Sequence, residues 1–200
     1  MSNVRLAVVY YSTYGTNHAM ADVAAAAAKA AGAEVRLRKV HETAPAEVVK
    51  AQEAWLGHAE KTAHVAIAKP DDLVWANAFL FIAPTRYGTM ASQMRAFIDT
   101  LGPIWQKGDL ANKAASAMTS AMNLHGGQEG TLLGMYATFM HWGAILVPPG
   151  YTDPSIAAAG GNPYGTSTVA VQDGKLSDEI RAAVEHQTRR LVDFAGRIAA

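Results

Sequence analysis

The chain has 200 residues, half of them hydrophobic, with 17 basic and 17 acidic side chains; this predicts one domain over 1–200 and disfavours nucleic-acid binding. It contains no cysteine, which excludes disulfides, thiolate nucleophiles and cysteine-ligated metals and leaves any redox chemistry to a bound cofactor. It has no run of roughly 20 apolar residues that could span a membrane and no signal-peptide cleavage region before its first predicted strand, so we expect a cytoplasmic protein without membrane insertion.

The first part of the sequence predicts alternating strands and helices. Residues 5–11 form an apolar, β-branched and aromatic run typical of a strand, and residues 18–31 are an alanine-rich helix. In 33–40, apolar and charged side chains alternate, as in a strand near a sheet edge. Residues 46–55 predict a second helix, whereas 56–70 show no clear period and indicate an insertion or a long connection.

The same alternation continues to the end of the sequence. The next predicted segments are a strand at 78–83, a helix at 90–102, a strand at 113–121, a helix at 127–143 and a strand at 144–149. Residues 149–176 are rich in glycine, proline, serine and threonine and predict a long loop, of the kind that is usually functional or disordered. Ser177 then caps a last amphipathic helix.

Five predicted strands that alternate with helices indicate an α/β fold. We expect a doubly wound, five-stranded parallel sheet with helices on both faces. Ligands of such sheets bind beyond the carboxyl ends of the strands. The loops after the first, third and fourth strands are therefore the candidate site.

The first of these loops, YYSTYGTN at 10–17, combines hydroxyl groups with a glycine before a helix. Ser12, Thr13 and Thr16 supply hydroxyl donors, and Gly15 lets the backbone approach a ligand. This pattern suits a phosphate monoester. Neither the lysine-containing P-loop motif nor G-x-G-x-x-G is present, which disfavours nucleotide triphosphate hydrolysis and the usual NAD-binding fold. Because the same residue types also make good turns and caps, a purely structural loop is the alternative.

The second loop lies in PTRYGTMASQMRAFID at 84–99. Thr85 adds another hydroxyl, Arg86 a guanidinium group, Tyr87 an aromatic ring and Gly88 another flexible position. Proline, glycine and an aromatic residue in one loop favour a flat wall.

Four segments, in this order, carry a family resemblance: YYSTYGTN, APTRYGTMASQMRAFIDTLGPIW, GGQEGTLLGMYATFMHWGAILVPPGY and GGNPYGTSTVA. They resemble the flavodoxin-like NAD(P)H:quinone oxidoreductases of the tryptophan repressor binding protein (WrbA) type over nearly the whole chain. The resemblance implies a flavodoxin-like fold, bound FMN, NADH or NADPH as electron donor, and two-electron reduction of quinones by a ping-pong mechanism. It also implies a homotetramer with sites near subunit boundaries.

The resemblance assigns site residues as well. The implied FMN contacts are Ser12, Thr13, Tyr14, Gly15, Thr16, Asn17, Thr85, Arg86, Tyr87, Gly88, Ala121, Met122, Asn123, Leu124, His125, Gly126 and His141. Tyr14 and Trp105 are implied to contact the nicotinamide or the quinone. At 122–125 the sequence departs from the threonine and glycine run that family members commonly have.

Two of these positions have alternative interpretations. Trp105 is either an aromatic wall for flat substrates or an ordinary packing residue. His141 is either a helix histidine or a polar contact of flavin or substrate, and either His141 or solvent protonates the quinol. The histidines of the chain show no H-E-x-x-H pattern or comparable spacing, so we expect no metal site.

Two other functions are compatible with the same fold. A flavodoxin-type electron carrier would use the same phosphate loop, but its family members are typically strongly acidic, whereas this chain has balanced charge. A non-enzymatic regulatory protein of the receiver type needs an acceptor aspartate after the third strand, where this chain has IAPTRYG. The balanced charge, Arg86 and the loop at 149–176 favour an enzyme.

Overall fold

The computed structural model describes residues 4–171 and 174–198. Strands and helices alternate along the described chain. In chain order they are β1 Arg5–Tyr10, α1 Thr16–Ala30, β2 Glu34–Lys39, α2 Ala46–Lys50, α3 Glu53–Lys61, α4 Pro70–Trp75, β3 Ala78–Arg86, β4 Thr89–Met90, α5 Ser92–Asp99, α6 Gly102–Gln106, β5 Ala114–Ala121, α7 Gln128–His141, β6 Ile145–Leu146, α8 Pro154–Ala158, β7 Ser167–Val169 and α9 Asp178–Ile198.

The sheet has the order β2-β1-β3-β5-β6, and all of these neighbours pair in parallel. This is the flavodoxin-like order, and it confirms the predicted doubly wound sheet with five strand positions. Side chains of β1 point alternately to two cores: Leu6, Val8 and Tyr10 pack in one, and Ala7 and Val9 in the other. Helices therefore cover both faces of the sheet.

Small side chains bring one helical layer close to the sheet. Ala21, Ala24 and Ala28 of α1 are fully buried, in the same core as Val184 and Leu191 of α9. Alanine combines the best helix propensity with the smallest side chain that can be buried, so the alanine-rich segment forms a helix that packs closely. This packing fixes where α1 begins, beside the carboxyl end of β1.

The fifth strand position is divided between two short strands on the same edge of β5. β6 pairs with Ala114 and Ala115, and β7 pairs with the segment from Thr119 to Ala121. The predicted strand at 144–149 is therefore too long, because the prolines at 148 and 149 supply no backbone N–H to a ladder. The predicted loop at 149–176 is also wrong in part, since it contains α8 and β7; its residues 172–173 lie outside the described ranges.

Two predicted helices are divided in the structure. The helix predicted at 46–55 is α2 followed by α3, because Gln52 between them adopts an extended conformation. α3 continues to Lys61 and so occupies much of the 56–70 segment that the sequence pattern left without an element. The helix predicted at 90–102 is shorter, and the chain starts a separate helix, α6, with a proline in its first turn.

Gly165 lies just before β7, where the chain approaches β5 again. A substitution at this position tests how closely the chain packs there. A Cβ atom there would overlap the carbonyl oxygen of Ala117 and lie 2.8 Å from Leu132 Cδ2. We expect Gly165→Ala to lower the free energy of unfolding by about 1–3 kcal/mol, the usual range for overpacking. Urea denaturation measures this change.

Gly134→Ala is the matched control for this substitution. Gly134 lies on the exposed side of α7, and a Cβ atom there would meet nothing within 4 Å. Alanine should stabilise this helix by roughly 0.5–1 kcal/mol. Equal effects of the two substitutions would contradict the close approach at Gly165.

Candidate functional site

A cleft of about 640 Å³ opens at the carboxyl ends of β1, β3 and β5. Four segments line it: the loop after β1, the end of β3, the loop after β5, and the residues that follow β7. Because parallel strands end at one edge of the sheet, loops that are far apart in sequence meet there. We call this space the flavodoxin-side cleft.

The structure brings most of the predicted site residues together in this cleft. Those that line it are Ser12, Thr13, Tyr14, Thr16, Asn17, Thr85, Arg86, Tyr87, Ala121, Met122, Asn123 and Gly126. The predicted residues that do not line it are Gly15, Gly88, Leu124, His125, Trp105 and His141. The lining residues that were not among the predicted contacts are Pro84, Ser120, Ala170 and Val171. The β-branched residues at 167–171 were the available signal, since they indicate a strand that ends at this edge.

The start of α1 supplies backbone donors to the cleft. Gly15 precedes the helix with a φ of 107°, and within the described ranges no side chain caps this helix. The Gly15 N–H donates to Ser12 Oγ at 3.0 Å, which closes the loop on itself. Since the first amides of a helix have no partner inside it, and 12–17 carries no carboxylate, the loop suits an anion.

Thr16 and Asn17 shape this loop through their side chains. Thr16 Oγ1 accepts a hydrogen bond from the Val171 N–H at 3.1 Å, and Asn17 Nδ2 donates to the Tyr11 carbonyl oxygen at 3.1 Å. Both side chains are buried. They hold the loop against the segment after β7 and against the end of β1.

Arg86 joins the second loop to the first. Its Nη2 donates to Thr13 Oγ1 at 2.8 Å, and its Nη1 donates to the Thr85 carbonyl oxygen at 2.9 Å. Among the residues that the structure describes, no carboxylate forms an ion pair with Arg86. The guanidinium group is thus held by neutral acceptors, and its positive charge remains available to a ligand.

β3 and β4 form an antiparallel hairpin, and Tyr87 lies in the turn between them. Tyr87 has a φ of 51° and is fully exposed. Positive φ is an outlier for a bulky residue, and such strain is found mainly where function requires the conformation. Tyr14 and Met122, which also line the cleft, are exposed as well. The rim of the cleft therefore presents apolar groups above a polar floor.

Glycines let the loop after β5 approach the β3–β4 hairpin. A Cβ atom on Gly127 would lie 2.7 Å from Gly88 Cα, and one on Gly130 would lie 3.0 Å from the Gly88 carbonyl oxygen. The Thr85 hydroxyl bonds the Thr131 hydroxyl and, at 3.3 Å, the Gly127 carbonyl oxygen. The start of α7 thus closes on the second loop although the residues at 122–125 depart from the family pattern.

Trp105 and His141 lie away from this cleft in their own chain. Trp105 Nε1 donates to the His141 carbonyl oxygen at 3.0 Å, so the two residues are neighbours. His141 ends α7, whose 14 residues begin near the cleft and span about 21 Å. Trp105 is 51% exposed, which disfavours its interpretation as a core residue.

Glu42 connects the first loop to two helices, a role that the sequence analysis did not identify. Its carboxylate accepts from Tyr11 Oη at 2.8 Å, Gln93 Nε2 at 2.7 Å, Trp55 Nε1 at 3.1 Å and the Ala44 N–H at 2.9 Å. Tyr11 lies in the first loop directly after β1, Gln93 lies in α5 and Trp55 in α3. The carboxylate therefore fixes three elements around the base of the site.

These hydrogen bonds keep Glu42 ionised. Burial raises the pKa of the Glu42 carboxyl, but the donors from Ala44, Gln93, Tyr11 and Trp55 outweigh this effect, and the net pKa is below its usual value. Burial raises the pKa of Tyr11 well above its usual value, so its hydroxyl keeps its proton. A neutral tyrosine thus separates the Glu42 carboxylate from Thr13 and Arg86.

Two histidines lie behind the first loop. The rings of His18 and His58 are 5.5 Å apart, and burial lowers the pKa of His58 to about 4. Burial also lowers the pKa of His18. Within 4–171 and 174–198 no group of three or more histidine, aspartate or glutamate side chains is arranged to hold a metal ion. In the same ranges no helix is both long and apolar enough to cross a membrane.

Comparisons of sequence identify the family of this chain. Residues 4–155 match the family described as NADPH-dependent FMN reductase. A Deinococcus radiodurans protein named NAD(P)H dehydrogenase (quinone) is 55% identical over 195 residues, which cover 98% of this chain and 97% of that protein. A Geotalea uraniireducens protein of the same name is 38% identical over 203 residues, with 98% and 100% covered.

Comparisons with solved structures agree on the fold. A WrbA-like flavodoxin from Agrobacterium tumefaciens has a TM-score of 0.63 at 21% identity, covering 98% of this chain and 96% of that one. A flavodoxin from the domain Archaea has a TM-score of 0.61 at 17% identity, with 98% and 100% covered. These likenesses show a flavodoxin-like fold.

The Glu42 network predicts a pH dependence of stability. Because the folded-state pKa of Glu42 is lowered, its contribution is present above the usual glutamate pKa of 4.5 and is lost as the pH falls through the folded-state value. We expect Glu42→Gln to destabilise the protein by roughly 1–3 kcal/mol at pH 7, the range for lost hydrogen bonds to a charged group. The difference between the two proteins should shrink towards pH 3 in urea denaturation. A difference that stays constant over this range would contradict an ionised Glu42.

Proposed function

This chain belongs to the NADPH-dependent FMN reductase family, and we propose that it is an FMN-dependent NAD(P)H dehydrogenase that reduces quinones. The observation that carries the proposal is the start of α1, which has no side-chain cap among the described residues and no carboxylate in 12–17. It opens into a cleft beside Arg86, whose guanidinium group has no ion-pair partner in the same described part of the chain. Relatives named NAD(P)H dehydrogenase (quinone) support the same activity.

The residues of the cleft fit FMN. Its terminal phosphate would lie at the start of α1, where Ser12 and Thr13 add hydroxyl groups to the backbone donors. The second loop, with Thr85, Arg86 and Tyr87, would lie along the ring, and the loop from Ala121 to Gly126 would close its other edge. When bound, FMN supplies two-electron chemistry between NAD(P)H and a quinone.

The protein contributes binding, orientation and charge to this reaction. Arg86, held by Thr13, would stabilise negative charge that develops in the cleft. Tyr14 would serve as a flat wall for the nicotinamide and then for the quinone, so that donor and acceptor use the cleft in turn, as a ping-pong mechanism requires. The proton for the quinol would come from His141 or from solvent.

Trp105 and His141 lead to a proposal about assembly. Since they lie at the far end of α7 from the cleft of their own chain, they would reach substrate only in the cleft of a neighbouring copy. This position implies at least one neighbouring copy, and the resemblance to WrbA-type oxidoreductases implies a homotetramer. We infer that assembly, in which 1–200 is one domain and each site lies near a subunit boundary. Its donor, NAD(P)H, is a cytoplasmic metabolite, which favours a cytoplasmic protein.

The activity is tested by adding FMN, desalting and recording the visible spectrum, followed by NADH or NADPH with and without benzoquinone. We expect a retained flavin spectrum and repeated oxidation of the donor only when quinone is present in excess over enzyme. Retained flavin without turnover would indicate an electron carrier. Absence of flavin from correctly folded protein would overturn the proposal.

Substitution of Ser12 tests the phosphate site. Aspartate can keep the bond from the Gly15 N–H and favours the positive end of α1, so Ser12→Asp should fold at least as stably as the wild type. Its carboxylate would repel the FMN phosphate by roughly 3 kcal/mol at about 5 Å, so we expect an approximately 100-fold weaker FMN affinity by fluorescence titration.

Ser12→Asn is the control, because asparagine has the shape of aspartate without its charge. It should weaken FMN binding by less than about tenfold, since it removes one hydrogen bond of ordinary strength. Equal affinities of the two variants would show that charge at the start of α1 does not matter to the ligand, and the phosphate would then lie elsewhere.

Trp105→Ala tests the shared site. Truncating a buried tryptophan lowers the free energy of unfolding by roughly 3–5 kcal/mol. Because Trp105 is half exposed, the decrease in this variant should be smaller. The variant should keep FMN and lose about 2- to 12-fold in kcat/KM for quinone, the equivalent of one aromatic pair. Thermal melts, the visible spectrum of bound FMN and quinone kinetics on one preparation measure these three properties, and sedimentation gives the assembly. Unchanged quinone kinetics, or a fully active monomer, would remove Trp105 from the site.

A further inference from the structure

A second cleft, of about 810 Å³, adjoins the flavodoxin-side cleft. The two clefts share Thr13, Tyr14, Arg86 and Tyr87 as walls. The hydrogen bond from Arg86 to Thr13 forms the partition between them. We call the second space the aromatic cleft, and its volume is within the range of small-molecule sites.

Two aromatic rings form a corner of the aromatic cleft. Tyr14 and Trp55 meet edge to face, with ring centroids 6.4 Å apart at 67°. Both rings are anchored by hydrogen bonds, from Tyr14 Oη to Gln52 at 2.6 Å and from Trp55 Nε1 to Glu42 at 3.1 Å. A fixed aromatic surface at a cleft wall suits the face of a purine base, which stacks on aromatic side chains.

The charged groups of the aromatic cleft favour an anionic ligand. Arg86 has no carboxylate partner among the described residues. Asp99 also lines this cleft; it is exposed and pairs with Arg95 at 3.4 Å, so the cleft is lined by two arginines and one aspartate. The nearby carboxylate of Glu42 already accepts four hydrogen bonds. One guanidinium group can donate two parallel hydrogen bonds to the oxygens of a phosphate. An aromatic corner with two arginines therefore has the chemistry of a nucleoside diphosphate site.

We propose that the aromatic cleft binds the adenosine diphosphate half of NADH or NADPH, an inference that rests on the proposed function. A dinucleotide that places its nicotinamide in the flavodoxin-side cleft needs a neighbouring space for its other half. The aromatic cleft shares Tyr14 and Arg86 with that space. The adenine then stacks on Trp55, and Arg86 and Arg95 face the pyrophosphate. A quinone has no phosphate and gains nothing from these arginines.

The test compares NADH with reduced nicotinamide mononucleotide, which lacks the adenosine half, in the FMN-loaded enzyme with benzoquinone. Wild-type enzyme should have a higher kcat/KM for NADH than for the mononucleotide. Trp55→Leu should lower the ratio of kcat/KM for NADH to kcat/KM for the mononucleotide by about tenfold, as expected for loss of a stacked base.

Two further variants separate stacking from structure. Trp55→Phe keeps an aromatic face but loses the N–H that donates to Glu42, so it should restore most of the preference for NADH. Trp75→Leu, which changes a tryptophan of α4 outside both clefts, should alter neither substrate's kinetics. If Trp55→Leu and Trp55→Phe impair both donors equally, Trp55 is only structural and the proposal fails.

The outcomes also separate this inference from the proposed function. Equal kcat/KM for NADH and the mononucleotide in the wild type would overturn the adenosine site and leave the dehydrogenase activity intact. No oxidation of either donor by flavin-loaded enzyme would overturn the proposed function itself. ADP should inhibit NADH oxidation competitively in the wild type and about tenfold more weakly in Trp55→Leu; equal inhibition of the two proteins would count against the site.

Discussion

The hydrogen bond from Arg86 to Thr13 joins two loops that are 73 residues apart, and both clefts depend on it. On one side the bond borders the start of α1, and on the other it borders the corner of Tyr14 and Trp55. Since Thr13 is neutral, the bond positions the guanidinium group without cancelling its charge. An aspartate at 13 would position Arg86 equally well, but it would pair with the cation and place a carboxylate beside the proposed phosphate loop.

Glu42, which is negatively charged, supports the contact between Arg86 and Thr13 through Tyr11. Its four donors are all neutral, so the carboxylate remains ionised while its field is partly offset by oriented dipoles. Tyr11 keeps its proton and relays the contact towards Thr13, whose Oγ1 is 3.5 Å from the Tyr11 hydroxyl. A negative charge therefore stabilises the base of the site, and a positive charge faces its opening.

Local patterns in the sequence predicted the sheet and its two principal loops. Apolar runs that alternate with helical segments predicted a five-stranded parallel sheet, and the hydroxyl and glycine content of 10–17 predicted a loop suited to a phosphate. The Glu42 network was not predictable, because two of its four partners, Tyr11 and Gln93, lie 31 and 51 residues away in the sequence. Periodicity records which face of an element is buried and carries no information about such distant pairs.

Contacts between distant segments also explain why the strand predicted at 144–149 and the loop predicted at 149–176 were partly wrong. β6 and β7 have two and three residues, too few to give a periodic signal, and they form only because β5 offers two free lengths of one edge. The insertion between them carries α8, so a segment rich in glycine and proline is ordered by its two ends. Val171, just beyond β7, bonds Thr16 in the first loop. The divided strand is thus part of the site's construction: β5 fixes β7, and β7 positions the backbone that holds the first turn of α1.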